Sequence, residues 1–208
     1  MKFLGLDTSK SKTYIVLIND DKEIVKVLEE TRKVSENLLV EIDSLLKSEN
    51  IELNNIDYLG AITGPGSFTG IRIGMATIKA FSGALGQKIV SLNAFEPYLD
   101  EIENGIMLLS STKTTCYFAE IEKHQIENMG VINNDEIMNK FKGENFYTLD
   151  EVLVKDYNAT LLENYKEKLI LAFRKMINDE KFVTLNEFAP LYLQLSQAEL
   201  NLKENKND

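Results

Sequence analysis

Histidine and cysteine are nearly missing: His124 and Cys116 stand alone in 208 residues, and tryptophan is absent. A zinc or iron site built on imidazole and thiolate needs three or four such ligands, so none is expected, and no metal is assigned to the chain. The same scarcity removes Ser-His and Cys-His hydrolase chemistry unless His124 serves, and no G-x-S-x-G pattern occurs. One cysteine cannot close an intramolecular disulfide, which fits a reducing compartment. Positive charge is also scarce, with 23 Lys and Arg against 33 Asp and Glu, a net −10. The only arginines, Arg32, Arg72 and Arg174, are scattered. Such a chain repels a polyanion, so RNA is expected to reach it only indirectly, held by a partner. No apolar run approaches the 18 or so residues of a membrane span, and MKFLGLDTS breaks at Gly5 and Asp7 before a signal core forms. The expectation is a cytoplasmic protein with no membrane partner.

What is present is a globular composition, 44% hydrophobic and 27% charged, long enough for one domain or two small lobes. KFLGLD (2–7) and TYIVLIND (13–20) flank the polar turn TSKSK as a hairpin, and EIVKVLEE (23–30) adds a third strand. Val34, Leu38, Ile42, Leu45 and Leu46 recur at helical spacing, predicting a helix over 35–49 with Ser35 as N-cap. YLGAIT (58–63), a helix over 69–86 and KIVSL (88–92) follow. After a helical segment at 94–103 the order restarts: strands at 106–110, 115–122 and 125–132, a polar helix over 134–142 and a long helix over 159–178. Two copies of a strand-strand-strand-helix unit predict a duplicated α/β fold, with lobes at 1–104 and 105–198, the second reduced, and a tail at 199–208.

ITGPGSFTGIRIGMATIKAFSGALG (62–86) carries six of the eleven glycines and no acidic residue. It is not a Walker loop, since Ile71-Arg72 follow Gly70, and it is not G-x-G-x-x-G. One reading is an anion-binding turn over Gly64, Gly66 and Ser67, with Ser67 or Thr69 capping the helix. The other is close packing: Gly66, Gly70 and Gly74, and likewise Ala76, Ala80 and Ala84, recur every four residues. Such rows let a second backbone approach, from the home fold or a partner chain. Asp7-Thr8-Ser9 ends the first strand and could orient a hydrated Mg²⁺ and phosphate oxygens, or form an Asx turn. His124 sits in the polar turn EKHQ, and Cys116 begins an apolar strand.

Together LGLDTS, ITGPGSFTGIRIGMATIKAFSGAL and PLYLQLSQAE (190–199) resemble the bacterial TsaB (YeaZ) family over nearly the whole chain. The resemblance implies the actin, hexokinase and heat-shock-chaperone fold, which is ribonuclease H-like. It also implies a non-catalytic scaffold role in forming threonylcarbamoyladenosine beside the anticodon of tRNAs that read codons beginning with A. Implied partners are a TsaD-type transferase and a TsaE-type ATPase, with a homodimer as a further state. No cofactor is implied in the isolated chain, and ATP with Mg²⁺ belongs at most to an assembly interface. The implied helical docking surface covers Val34, Leu38, Ile42 and Leu45, then Gly70, Ile71, Gly74, Met75, Ile78 and Lys79. The transferase's metal histidines would follow KIVSL, where this chain has Asn93-Ala94-Phe95. It departs further at Val34, where the family has His, at Ser110-Ser111-Thr112-Lys113, where it has Asp-Ala-Arg, and at Gln194, where it has Arg. The alternative is a sugar or acyl-phosphate kinase of the same fold, using Asp7 for Mg²⁺ and the Gly64 to Gly70 turn for phosphate.

Overall fold

The computed structural model describes residues 1–29 and 34–194, without the side chains of Val34 and Ser35. Strands β1 (Lys2–Asp7), β2 (Thr13–Asn19) and β3 (Lys22–Leu28) form an antiparallel meander. Helix α1 (Val34–Ser48) leads to β4 (Tyr58–Ile62), which pairs parallel with β1. Helix α2 (Phe68–Leu85) leads to β5 (Lys88–Leu92), parallel to β4. The α1 helix starts at Val34, so Ser35 lies inside it rather than capping it. Helix α2 stops at Gly86, whose left-handed φ of 79° lets its N–H reach the Ser82 carbonyl.

The pattern then repeats. Strands β6 (Asn104–Ser110), β7 (Thr115–Glu122) and β8 (Gln125–Asn133) form a second meander. Helix α3 (Ile137–Lys140), β9 (Phe146–Thr148), helix α4 (Glu151–Tyr157) and β10 (Thr160–Leu161) complete it, β9 pairing parallel with β6 and β10 with β9. Helix α5 (Tyr165–Asn178) and β11 (Phe182–Val183) follow. The sheet orders are β11-β5-β4-β1-β2-β3 and β10-β9-β6-β7-β8, so each copy has its meander, then two parallel strands added beside its first strand. This is the duplicated actin-like α/β architecture, with β9 and β10 reduced to three and two residues.

Three expected helices differ. At 94–103 only a 3₁₀ turn forms, Glu96–Tyr98. The Asn93 side-chain oxygen accepts from the N–H groups of Phe95 and Glu96, and Pro97 brings no N–H, so the chain turns instead of winding on. The helix expected at 134–142 shrinks to the four residues of α3. The one expected from 159 starts at Tyr165, because left-handed Asn158 (φ 51°) ends α4 and left-handed Asn164 (φ 56°) precedes α5. The tail at 199–208 lies outside the described residues.

Two compact units result, Met1–Glu96 with Lys166–Leu191, and Pro97–Tyr165 with the segment from Tyr192. Residues 166–191 therefore pack with the first unit, although their position in the chain suggested the second. The cause is visible on the first sheet. Leu4, Leu6, Ile15, Leu17, Leu59 and Ala61 point to the face covered by α1 and α2. Gly5 and Gly60 open the other face, where the Phe173 ring of α5 lies against both glycines and 4.9 Å from the Phe3 ring. Arg174 adds an ion pair to Glu23 at 2.6 Å. In the second unit the core gathers Ile106, Leu108, Cys116, Phe118, Ile132, Phe141, Phe146 and Leu153.

Candidate functional site

The β1–β2 turn and the entrance of α2 form one closed structure. Asp7 ends β1 with no solvent exposure, opposite Tyr14 in the ladder. One carboxylate oxygen accepts from the Ser9 N–H at 2.8 Å and the Ser9 hydroxyl at 2.6 Å, an Asx turn. Ser67 donates its N–H to the Ser9 carbonyl at 2.8 Å and caps α2 by accepting from the Gly70 N–H at 3.2 Å. A Cβ on Gly66 would stand 2.3 Å from the Ser9 carbonyl oxygen, on Gly70 1.9 Å from that of Thr8, and on Gly74 2.3 Å from the Thr8 hydroxyl. Gly64, at φ +123°, would meet the Leu191 carbonyl at 2.6 Å. The glycine row is thus filled by the chain's own residues 8, 9 and 191. Two of the N–H groups that a phosphate would need, those of Ser67 and Gly70, already have partners. The turn read as a place for phosphate and Mg²⁺ does not fit either group as it stands. Lys10, in the same turn, has a buried Nζ, and burial pushes its ammonium down to about 8 against the opposing pull of Asp7.

Most of the docking residues that the resemblance implies face inward. Leu38, Ile42, Leu45, Ile71, Met75 and Ile78 are buried in the first unit's own core, Gly74 is buried against Thr8, and Gly70 and Lys79 are half-buried. The side chain of Val34 lies outside the described residues. The reason is general: a stripe at helical spacing marks the face that meets apolar surface, and here that surface is the home sheet. The outward faces carry other residues. On α1, Leu39 and Val40 are 56% and 65% exposed. On α2, Arg72, Ala76, Ala80, Gly83 and Ala84 are exposed. Only the alanine row was legible from its spacing.

The second unit carries little reactive chemistry. Burial, with Asp150 and Asp156 adding to it, pushes the Cys116 thiol up to about 11, so it stays protonated at neutral pH. His124 has its Nδ1 3.0 Å from the Leu99 carbonyl oxygen, and its neighbours Glu122 and Lys123 are exposed. Ser111 donates to the Gln194 side-chain oxygen at 3.2 Å, so two positions that depart from the resembled family meet each other. Among the described residues no group of three or more His, Cys, Asp and Glu is placed to hold a metal ion.

A family model described as TsaD, tRNA N6-adenosine threonylcarbamoyltransferase, matches residues 28–186. The chain belongs to this family. A tRNA threonylcarbamoyladenosine biosynthesis protein TsaB from Haemophilus influenzae is 25% identical over 135 residues, covering 61% of this chain and 56% of that protein. A tRNA N6-adenosine threonylcarbamoyltransferase from Ehrlichia chaffeensis is 26% identical over 137 residues, covering 55% of this chain and 39% of that one. The chain thus spans about half the length of the TsaB-type relative it matches, and less of the transferase. The structure of YeaZ from Pseudomonas aeruginosa superposes at a TM-score of 0.72 over 92% of this chain and 99% of that one, at 17% identity, which establishes a common fold. No helix among the described residues is long and apolar enough to cross a membrane.

Proposed function

We propose that this chain is a non-catalytic scaffold subunit of the cytoplasmic machinery that forms threonylcarbamoyladenosine in tRNA, holding a TsaD-type transferase in its working shape. The observation that carries the reading is the closed turn. In a member of a transferase family, the glycine row and Asp7 are occupied by the chain's own backbone and side chains. Chemistry is then left to a partner, and the exposed apolar residues of α1, Leu39 and Val40, with the alanine face of α2, offer that partner a surface. Small residues let helices approach closely, and two exposed aliphatic side chains side by side favour burial on assembly. A TsaE-type ATPase joins the pair, ATP and Mg²⁺ enter only with the assembly, and tRNA is gripped by the partner because this chain is acidic. A homodimer using the same faces is the state expected when the transferase is absent.

Copurification tests this. Expressed with a TsaD-type protein from the same cell, the chain should elute as a stable complex. Alone, it should give no heat with Mg-ATP at micromolar concentration. Separate elution together with tight Mg-ATP binding would instead support a kinase.

A further inference from the structure

The second unit holds a cavity of about 520 Å³ between the loop that leads into β9 and the end of α4. That volume lies within the roughly 300 to 1,000 Å³ of small-molecule sites. Phe146 and Tyr157 both line it, their ring centroids 6.2 Å apart and the planes tilted by 45°. The Tyr157 ring is held in place, because its hydroxyl donates to the Asn134 carbonyl at 3.1 Å. Met138, 54% exposed, adds a polarisable thioether, and the exposed Asn145 and Asn158 add amide groups. Glu144 is the one lining residue that is charged at neutral pH. It is exposed, and among the described residues no hydrogen bond or ion pair engages its carboxylate. The lysines of this region stand elsewhere. Lys140 and Lys142 line a smaller cavity of about 260 Å³ that shares only Glu144 with this one. The Lys140 ammonium is engaged there, 4.1 Å from the Phe118 ring centroid and 3.9 Å from the Glu120 carboxylate.

We propose that this cavity binds a small organic cation of the alkylammonium class, with Glu144 as its counter-charge and the Phe146 and Tyr157 rings beside it. Ring faces are negative, and a cation within about 6 Å of a centroid is attracted to them. Two centroids 6.2 Å apart let one ammonium lie within that distance of both. Anions are turned away by Glu144 and by the chain's net charge of −10, and no lining Lys or Arg receives them. A neutral ligand gains contact with the rings and amides but nothing from the carboxylate, so charge is what the site selects. The cavity lies within the second unit and asks nothing of the α1 and α2 faces.

Titration of the full chain with choline chloride, followed by NMR with sodium chloride at equal concentration as the reference, tests the site. Saturable shifts of the Glu144, Asn145 and Asn158 amide signals and of the Tyr157 ring signals are expected at millimolar choline. The uncharged analogue with carbon in place of the quaternary nitrogen should bind more weakly by about tenfold or more. Glu144→Gln, at an exposed position, should weaken choline binding by about tenfold. Tyr157→Leu should weaken it too, whereas Tyr157→Phe, which keeps the ring, should bind like the wild type. If Tyr157→Leu does not fold, the Glu144→Gln result decides. The proposal is overturned by the lack of a saturable shift, by shifts that sodium chloride reproduces, by equal binding of the uncharged analogue, or by undiminished binding to Glu144→Gln. Each of these results would leave copurification with the transferase untouched, so failure here is distinguishable from failure of the scaffold reading.

Discussion

A Cβ at Gly70 would stand 1.9 Å from the carbonyl oxygen of Thr8, closer than any such pair of atoms can come. This contact locks the entrance of α2 onto the β1–β2 turn. It predicts that Gly70→Ala destabilises the fold, by about 1 to 3 kcal/mol or more, because the opposing atom is backbone and cannot swing away. Gly74→Leu should also lower stability, and any loss of partner binding would follow from that. Gly83 sits on the exposed side of the same helix with nothing within 4 Å of a Cβ. Gly83→Ala should therefore stabilise by about 0.5 to 1 kcal/mol. Urea unfolding of the three variants checks the set. A harmless Gly70→Ala would mean that the turn and helix are not in contact.

On α1, Leu39 and Val40 point away from the home core. Replacing both with Glu should leave the melting temperature nearly unchanged and weaken binding to the TsaD-type partner by about tenfold or more, equivalent to 1.4 kcal/mol. Leu38→Ala, one residue earlier but 1% exposed, should do the reverse, costing about 2 to 5 kcal/mol of fold stability. Surface-immobilised partner and a thermal melt separate the two outcomes. Undiminished binding by the double Glu variant would remove α1 from the interface.

Much of the first unit was legible because its patterns are local. The apolar runs of β1 and β2 on either side of TSKSK, the α1 stripe and the glycine punctuation of α2 each need only a dozen residues to read. The second unit hid more. Strands of two or three residues such as β9 and β10 are too short to show a period, and α4 is a seven-residue helix between them. The docking face was taken from the family resemblance, since no local pattern marks a partner surface. Helical spacing finds the buried side of Leu38, Ile42 and Leu45 but cannot say whether the burying surface is the same chain. Nor could spacing reveal that Lys10, in a turn that reads as polar, has a buried Nζ.

Stability should depend on alkaline pH in two opposed steps. Lys10 releases its proton near pH 8 in the folded chain and near its ordinary 10.5 when unfolded, so the unfolded state binds more protons in between and stability rises with pH from about 8. Cys116 does the reverse: the unfolded thiol ionises near 9, the folded one holds its proton to about 11, and stability falls across that interval. A rise from pH 8 to 9 followed by a plateau is the expected profile. Cys116→Ala should extend the rise toward 10.5, and Lys10→Met should abolish it. Denaturation midpoints across pH 7 to 11 provide the test, and a wild-type curve that falls from pH 8 onward would contradict the burial of Lys10.

The packing of Phe173 against Gly5, Gly60 and Phe3 makes α5 part of the first unit despite the intervening second copy. Phe173→Ala should cost about 3 to 5 kcal/mol. Hydrogen exchange should show the loss of protection in β1 and β4. A change confined to α5 itself would mean that the helix is an appendage.

The assignment to threonylcarbamoyladenosine formation stands or falls on the modification itself. The direct measurement is mass spectrometry of nucleosides from bulk tRNA after depletion of this chain, with re-expression of the wild type and of the Leu39→Glu, Val40→Glu variant. The scaffold account predicts that depletion removes threonylcarbamoyladenosine, that the wild type restores it and that the variant restores it poorly although folded. Unchanged modification after depletion would contradict it.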